Sequence, residues 1–264
     1  MFTIGSDPEF FLRDLNGNLV SSIGLLGGTK KNPRQTTHGF IQEDNVTAEV
    51  NTLPSNCIEE FINNHKLVMV DLADILKPLN LTVDITGSAL FSDELLSHPM
   101  AQIAGCEPDF DAWSLSINTP ISYLTTNLRA AGGHLHIGSD VMKTPMDRAK
   151  FCRALDLELG LPSIIQDPDS ERRALYGKAG AHRPKFKSKD GFDGLEYRVL
   201  SNFWMKNDDL LKFVYRKVEL VVNNFEFLSE KADRLGSDII SIIDTGSVLD
   251  AYKLCDREGV SYAY

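Results

Sequence analysis

The sequence predicts an α+β fold in which helices lie against a largely antiparallel sheet. Strand-like and helical segments mix without a regular βαβ rhythm. An Asn-Gly pair inside Asp14 to Asn18 is a hairpin turn signal, which belongs to antiparallel connections. Neither GxxxxGK(S/T) nor a strand-linked GxGxxG occurs, so neither a P-loop nor a Rossmann site is supported.

The elements follow in order. Thr3 to Leu12 reads as a strand interrupted by Pro8, which has no N–H for a ladder. Gly24 to Gly39, rich in Gly, Lys, Thr and Pro, reads as a long irregular loop. Thr47 to Thr52 is strand-like and is stopped by Pro54. From Asn56 to Lys77 the residues Ile58, Phe61, Ile62, Leu67, Val70, Leu72 and Ile75 make an apolar helical stripe that Pro78 ends. Leu81 to Ile85 alternates like a strand, and Asn127 to Gly138 is another extended stretch. Thr144-Pro145 is a cap followed by proline at the first helical position, and opens a helix to about Leu159. Leu195 to Leu200 reads as a strand and Asp208 to Lys231 as one long amphipathic helix. Without repeats, low-complexity tracts or linkers, residues 1–264 are expected to form one domain.

Composition narrows the function. A hydrophobic share of 42% and a charged share of 24% are those of a globular protein. No apolar run reaches membrane-spanning length, and residues 1–7 lack the basic flank and apolar core of a signal peptide, so a cytoplasmic location is expected. Four cysteines lie far apart with no CxxC pair, which excludes a zinc ribbon and suits buried thiols. The net charge of −10 disfavours a nucleic-acid backbone as partner. One basic island, Arg172, Arg173, Lys178, Arg183, Lys185, Lys187 and Lys189, is either a solvated loop or a receptor for a small polyanion.

Four strand-like segments carry polar side chains at i and i+2, which period two places on one face. They are Asp7 with Glu9; Thr47, Glu49 and Asn51, with Glu43 and Asp44 just upstream; His134 with His136; and Glu196 with Arg198. Apolar residues between them, such as Leu135, Ile137, Tyr197 and Val199, assign the opposite face to the core. Each pair alone is also compatible with a solvated face or a surface ion pair. On one shared sheet, they would gather several carboxylates and imidazoles, whose mutual repulsion bound divalent cations relieve. A carboxylate-rich set with His suits Mg²⁺ or Mn²⁺ better than zinc. Glu107 and Asp109 either join this set or form an acidic turn.

In the family's order, Gly5-Ser6-Asp7-Pro8-Glu9-Phe10, Ala48-Glu49-Val50-Asn51-Thr52, Gly132-Gly133-His134-Leu135-His136-Ile137-Gly138 and Glu196-Tyr197-Arg198 resemble the motifs of the glutamate–cysteine ligase branch of the glutamine synthetase superfamily. The D-P-E opening and Arg173 to Gly180 resemble most the type 2 COOH–NH2 ligases (amidoligases) of bacteriophages. The resemblance implies a glutamine synthetase-like catalytic domain, its curved, mostly antiparallel sheet backed by helices on the outer face. It implies Asp7, Glu9, Glu49, His134 and Glu196 as metal ligands, with Asp7 standing where most relatives have Glu. It implies Glu49, Glu196 and Arg198 as the catalytic set, with Arg198 on the transferred phosphate. His136 would face the nucleotide, with Arg172, Arg173, Arg183 and Lys185 adding positive charge there.

The reaction so implied is ATP-dependent amide or peptide bond formation through an acyl phosphate, with Mg²⁺ or Mn²⁺ aligning the phosphates. The partners expected are a small-molecule or peptide carboxylate and an amine, in a phage-host cytoplasm if viral, with homo-oligomers possible. The competing readings are a metal-dependent hydrolase, a phosphagen-type kinase and an inactive binding relative.

Overall fold

The computed structural model describes residues 1–103, 109–118, 126–185 and 194–262. The chain begins as β1 (Phe2–Ser6), turns at Asp7-Pro8, and continues as β2 (Glu9–Arg13), β3 (Leu19–Val20), β4 (Arg34–Gln35), β5 (Gly39–Asp44) and β6 (Thr47–Thr52). Helix α1 (Ile58–Leu76), β7 (Thr82–Asp84), β8 (Ser88–Leu90) and the short α2 (Pro99–Gln102) follow. Then come β9 (Phe110–Asp111), β10 (Ser116–Ile117), β11 (Leu128–Ala130), β12 (Leu135–Ser139), α3 (Pro145–Leu155), α4 (Leu161–Gln166) and α5 (Ser170–Leu175). The last elements are β13 (Ala181–Lys185), β14 (Gly194–Tyr197), α6 (Asp208–Asn223), α7 (Phe225–Thr245) and α8 (Val248–Glu258).

The α+β expectation holds, but the polar pairs do not share one sheet. The first sheet has the order β1-β12-β14-β13-β9-β10, and the second β3-β2-β6-β5-β4 with β7 also on β2. The described pairings within both are antiparallel. Pro8 explains the split: the ladder stops there, and Asp7-Pro8 carries the chain from one sheet to the other. The crossing is tied down by N–H donation from Asp7 to His134 O (3.3 Å), from Glu9 to Gly132 O (2.9 Å) and from Val50 to Pro8 O (3.1 Å).

Alternation sorts each strand. Ala48 and Val50 of β6 pack with Phe10, Leu12 and Ile41 against Val68, Leu72 and Leu76 of α1. Leu135, Ile137, Leu195 and Tyr197 of the first sheet join a larger core with α3, α6 and α7. The intervening polar residues therefore face a cleft between the sheets, with helices on the outer faces.

Three predicted elements differ in extent. The Thr144 cap forms a full capping box with Asp147, but α3 stops at Leu155 and a π turn, Asp156–Gly160, leads into α4. That wide turn lets the buried Asp156 carboxylate accept from Trp113 Nε1 (2.7 Å), Tyr197 OH (2.8 Å) and Gly180 N (2.6 Å). The long helix expected over Asp208 to Lys231 breaks at Asn224, whose backbone leaves the helical region, and α6 and α7 result. The stretch 127–138 is two strands: β11 pairs with β8 in a separate two-stranded sheet, and residues 131–134 lead on to β12 of the first sheet, with Gly133 N–H donating to Leu200 O (3.0 Å).

Candidate active site

The cleft has a volume of about 570 Å³ and takes residues from both sheets. On the second sheet, register puts Glu9 directly opposite Glu49, and Gln42 opposite Glu49 on its other side. Asp44, two residues on from Gln42, shares that face. Ligand atoms of Glu9, Asp44 and Glu49 lie within 4.8 Å of one another. On the first sheet, register sets Glu196 between His136 and Arg183. Asp7 reaches across from the crossing, so that Asp7, His136 and Glu196 form a second cluster of the same tightness.

The electrostatics of the two groups differ. Burial, joined by Asp44, raises Glu9 to about 7, although the Gly132 N–H donates to its Oε2 at 2.7 Å. Burial, then Asp7, Asp44 and Glu9, pushes Glu49 well above the carboxylate range. Burial raises Asp44 as well, against the pull of Lys30. Three buried carboxylates so close raise one another's pKa, and a cation among them would relieve that. In the other cluster burial also works to raise Asp7, but His136 and His134 outweigh it and hold it well below the usual range. Glu196 falls to about 2, because Arg198, His136 and His134 overcome burial and the charge of Asp7.

Both clusters fit divalent ions. One offers three carboxylates and the other two carboxylates with an imidazole, and Asp7 Oδ1 is buried with His134 Nδ1 3.2 Å away. His134 Nδ1 also stands 3.9 Å from Glu196 Oε1, and its Nε2 is 3.2 Å from Tyr176 OH. His136 Nε2 lies 3.1 Å from Asp7 Oδ2 and 3.9 Å from Glu196 Oε2. The expected division, His134 on metal and His136 on nucleotide, is therefore not drawn by this geometry: both rings face the same carboxylate pair.

Cations converge on Glu196. Arg183 donates to its Oε1 at 3.3 Å, Lys185 Nζ stands 2.9 Å from Oε2, and Arg198 Nη1 pairs with Oε1. Arg198 Nε donates to Asp109 Oδ2 at 3.2 Å, and its guanidinium lies 5.2 Å from the Tyr176 ring centre. Asp109 thus touches the site, while Glu107, Lys187 and Lys189 lie outside the described residues.

The basic island divides. Arg183 and Lys185 line the cleft. Arg172 and Arg173, expected at the nucleotide, are buried behind it instead. Arg172 donates to Ala131 O (3.2 Å), Val199 O (2.9 Å) and Leu200 O (2.6 Å). Arg173 donates to Gly177 O, Val199 O (3.0 Å) and Ser163 Oγ (3.3 Å). Their donors satisfy carbonyls of irregular backbone, and this replaces the predicted role. Glu43 is likewise turned away and accepts from Gly24 N (2.9 Å) and Leu26 N (3.0 Å). Asp44, Lys30 and Tyr176 line the cleft without having been singled out as site residues. Alternation from Gln42 could have found Asp44; nothing local marks Lys30.

The part of the chain that carries the first-sheet half of this cleft is similar to carboxylate–amine ligases, enzymes that form a C–N bond. Residues 125–237, which include His134, His136, Glu196 and Arg198, match the model of the family described as phage phiEco32-like COOH.NH2 ligase-type 2. The resemblance read from the motifs thus stands over that stretch. No curated protein matches the chain. Similar solved structures include a glutamine synthase homolog (13% identity, 99% of this chain and 68% of that one, TM-score 0.41). A second is a bifunctional glutathione synthetase from Pasteurella multocida (10% identity, 98% of this chain and 46% of that one, TM-score 0.49). A third is a GmaS/ADP complex (11% identity, 98% and 69%, TM-score 0.39). No helix among the described residues is long and apolar enough to cross a membrane.

Proposed function

We propose that residues 1–264 act as one catalytic domain that uses ATP to activate a carboxylate as an acyl phosphate and then joins it to an amine. The observation that carries this is the pairing of two ion-sized acidic clusters with a set of cations inside one cleft. A carboxylate does not react with an amine at neutral pH because oxide is a poor leaving group; phosphorylation supplies a good one. The task is to bring two anions, substrate carboxylate and triphosphate, into line.

Asp7, His136 and Glu196 would hold one divalent ion, with His134 Nδ1 beside them, and Glu9, Asp44 and Glu49 another, Mg²⁺ or Mn²⁺ by their donors. When bound, such ions neutralise phosphate oxygens. Arg198 then has a different partner available. Its planar fork is held by Asp109 and supported by the Tyr176 ring, so it can turn a bidentate face to the transferring phosphoryl group. Arg183 and Lys185, from the neighbouring strand, present charge to the same region. Gly132 N–H and Asn51 Nδ2 (3.4 Å from Glu49 Oε1) orient the acidic residues.

The experiment is release of phosphate from ATP with hydroxylamine trapping, across a panel of amino acids and small peptides, with Mg²⁺ or Mn²⁺. An acyl hydroxamate is the expected product. ATP turnover on a guanidine substrate without hydroxamate would mean a phosphagen-type kinase; metal-dependent hydrolysis without nucleotide would mean a hydrolase.

A further inference from the structure

The stretch from Gly24 to Arg34 is irregular in backbone but tightly fastened. The Glu43 carboxylate holds two of its N–H groups, and Glu43 N–H donates to Gly28 O at 2.9 Å. Arg34 Nη1 donates to Leu26 O at 3.0 Å. Gly28 lies so close to β5 that a Cβ there would collide with the Ile41 carbonyl oxygen and stand 2.5 Å from Arg34 N. From this base Thr29 and Asn32 exchange N–H···O bonds of 3.1 and 2.9 Å, closing a two-residue turn with Lys30 and Lys31 at its tip. Lys30 lines the cleft, about half exposed, with Nζ 3.9 Å from Asp44 Oδ2.

We propose that Lys30 is a phosphate-binding residue of this cleft, engaging the transferred phosphoryl group from the side opposite Arg198. This rests on the ligase reading. Arg198, Arg183 and Lys185 all approach from the first sheet and meet at Glu196. The second sheet faces the cleft with Glu9, Asp44 and Glu49, and Lys30 brings a cation to them from that side; Arg129 of β11 also lines the cleft but is buried, donating to Thr126 O, Leu128 O and Ala101 O. A divalent ion held by those carboxylates takes up the charge of Asp44. The pull of Asp44 on the ammonium 3.9 Å away is thereby weakened, which leaves the lysine able to turn to a further anion. The γ-phosphoryl oxygens are the anion the reaction brings there. Lysine suits the task, as a point charge on a flexible stem that can follow the group from ATP to the substrate carboxylate. The pinned turn gives that stem a fixed origin.

The test compares wild type, Lys30→Met and Lys30→Arg with Mg²⁺ present, by calorimetric binding of adenylyl imidodiphosphate and of ADP, alongside hydroxamate formation. One lost charge-assisted hydrogen bond predicts about a tenfold or greater loss of affinity for the triphosphate analogue in Lys30→Met. Affinity for ADP is expected to stay within about twofold, with Lys30→Arg between the two proteins. Equal losses on both nucleotides, or no loss on either, overturn the assignment. A wild type that forms hydroxamate beside an indifferent Lys30→Met refutes the lysine alone. If wild type neither binds nucleotide nor forms hydroxamate, the ligase reading falls and the lysine's role with it.

Discussion

Asp44 enters the cleft beside Glu9 and Glu49, while Glu43, one residue earlier, turns away to hold the backbone of Gly24 and Leu26. Their substitutions should therefore act in opposite directions. Asp44→Asn removes one of three mutually repelling carboxylates, so the metal-free protein should gain roughly 1 kcal/mol while Mn²⁺ affinity falls. Glu43→Gln loses a charged acceptor of two N–H groups and should cost about 1–3 kcal/mol. Chemical denaturation in EDTA, with Mn²⁺ titration by calorimetry, checks both, and a destabilised Asp44→Asn would contradict the cluster. Arg172 poses a similar question of burial. Lysine there keeps the charge but cannot reach Ala131, Val199 and Leu200 together, so Arg172→Lys should lose about 2–3 kcal/mol of stability by the same assay.

At the scale of elements, α1 is bound to the crossing strand through His65. This buried ring has Nδ1 2.6 Å from Phe61 O and Nε2 2.6 Å from Ser6 Oγ, and it packs against Trp204. Burial lowers its pKa from 6.5 to about 4, against the pull of the Phe61 carbonyl. A histidine kept neutral when folded is protonated first in the unfolded chain. Stability is therefore highest above pH 6.5 and is lost as pH falls towards 4, by about 3 kcal/mol in all. His65→Gln should flatten that part of the curve when unfolding free energy is measured at intervals from pH 7 to 4; an unchanged slope would count against it. Elements are also where reading the sequence succeeded most and failed most clearly. Period-two spacing marked Asp7, Glu9, Glu49, His136, Glu196 and Arg198, because a strand with one core face must turn its other residues elsewhere. It could not say that two sheets supplied them, since that depends on Pro8 ending a ladder and on which strands pair next. Arg172 and Arg173 were misplaced for a related reason. Seven basic residues look alike in a row, and only the fold shows that two of them serve the carbonyls of residues 131, 177, 199 and 200.

For the whole molecule, the cleft sets the balance of stability. The buried acids Glu9, Asp44 and Glu49 oppose closure of one sheet on the other, and a divalent ion bound among them would relieve that opposition. At 100 times its Kd, Mg²⁺ or Mn²⁺ should add about 2.7 kcal/mol per site, seen as a rise in melting temperature that EDTA abolishes. Glu9→Ala and His134→Ala should keep the fold, because their apolar neighbours are untouched, but each should lose about one site's share of that rise. An equal metal-induced rise in wild type and both variants would rule out these residues as ligands.

The Asp7-Pro8 step gives this one more meaning. The residue that bridges the sheets covalently also carries a carboxylate aimed at His136 and Glu196. With a divalent ion held there, the polypeptide would be buckled twice at one place, once by its backbone and once by that ion. Genetic screens that score activity alone at position 7 would then report a torn seam and a disabled catalyst as the same defect. Proteolysis of the ion-free form beside the ion-loaded form would tell the two apart.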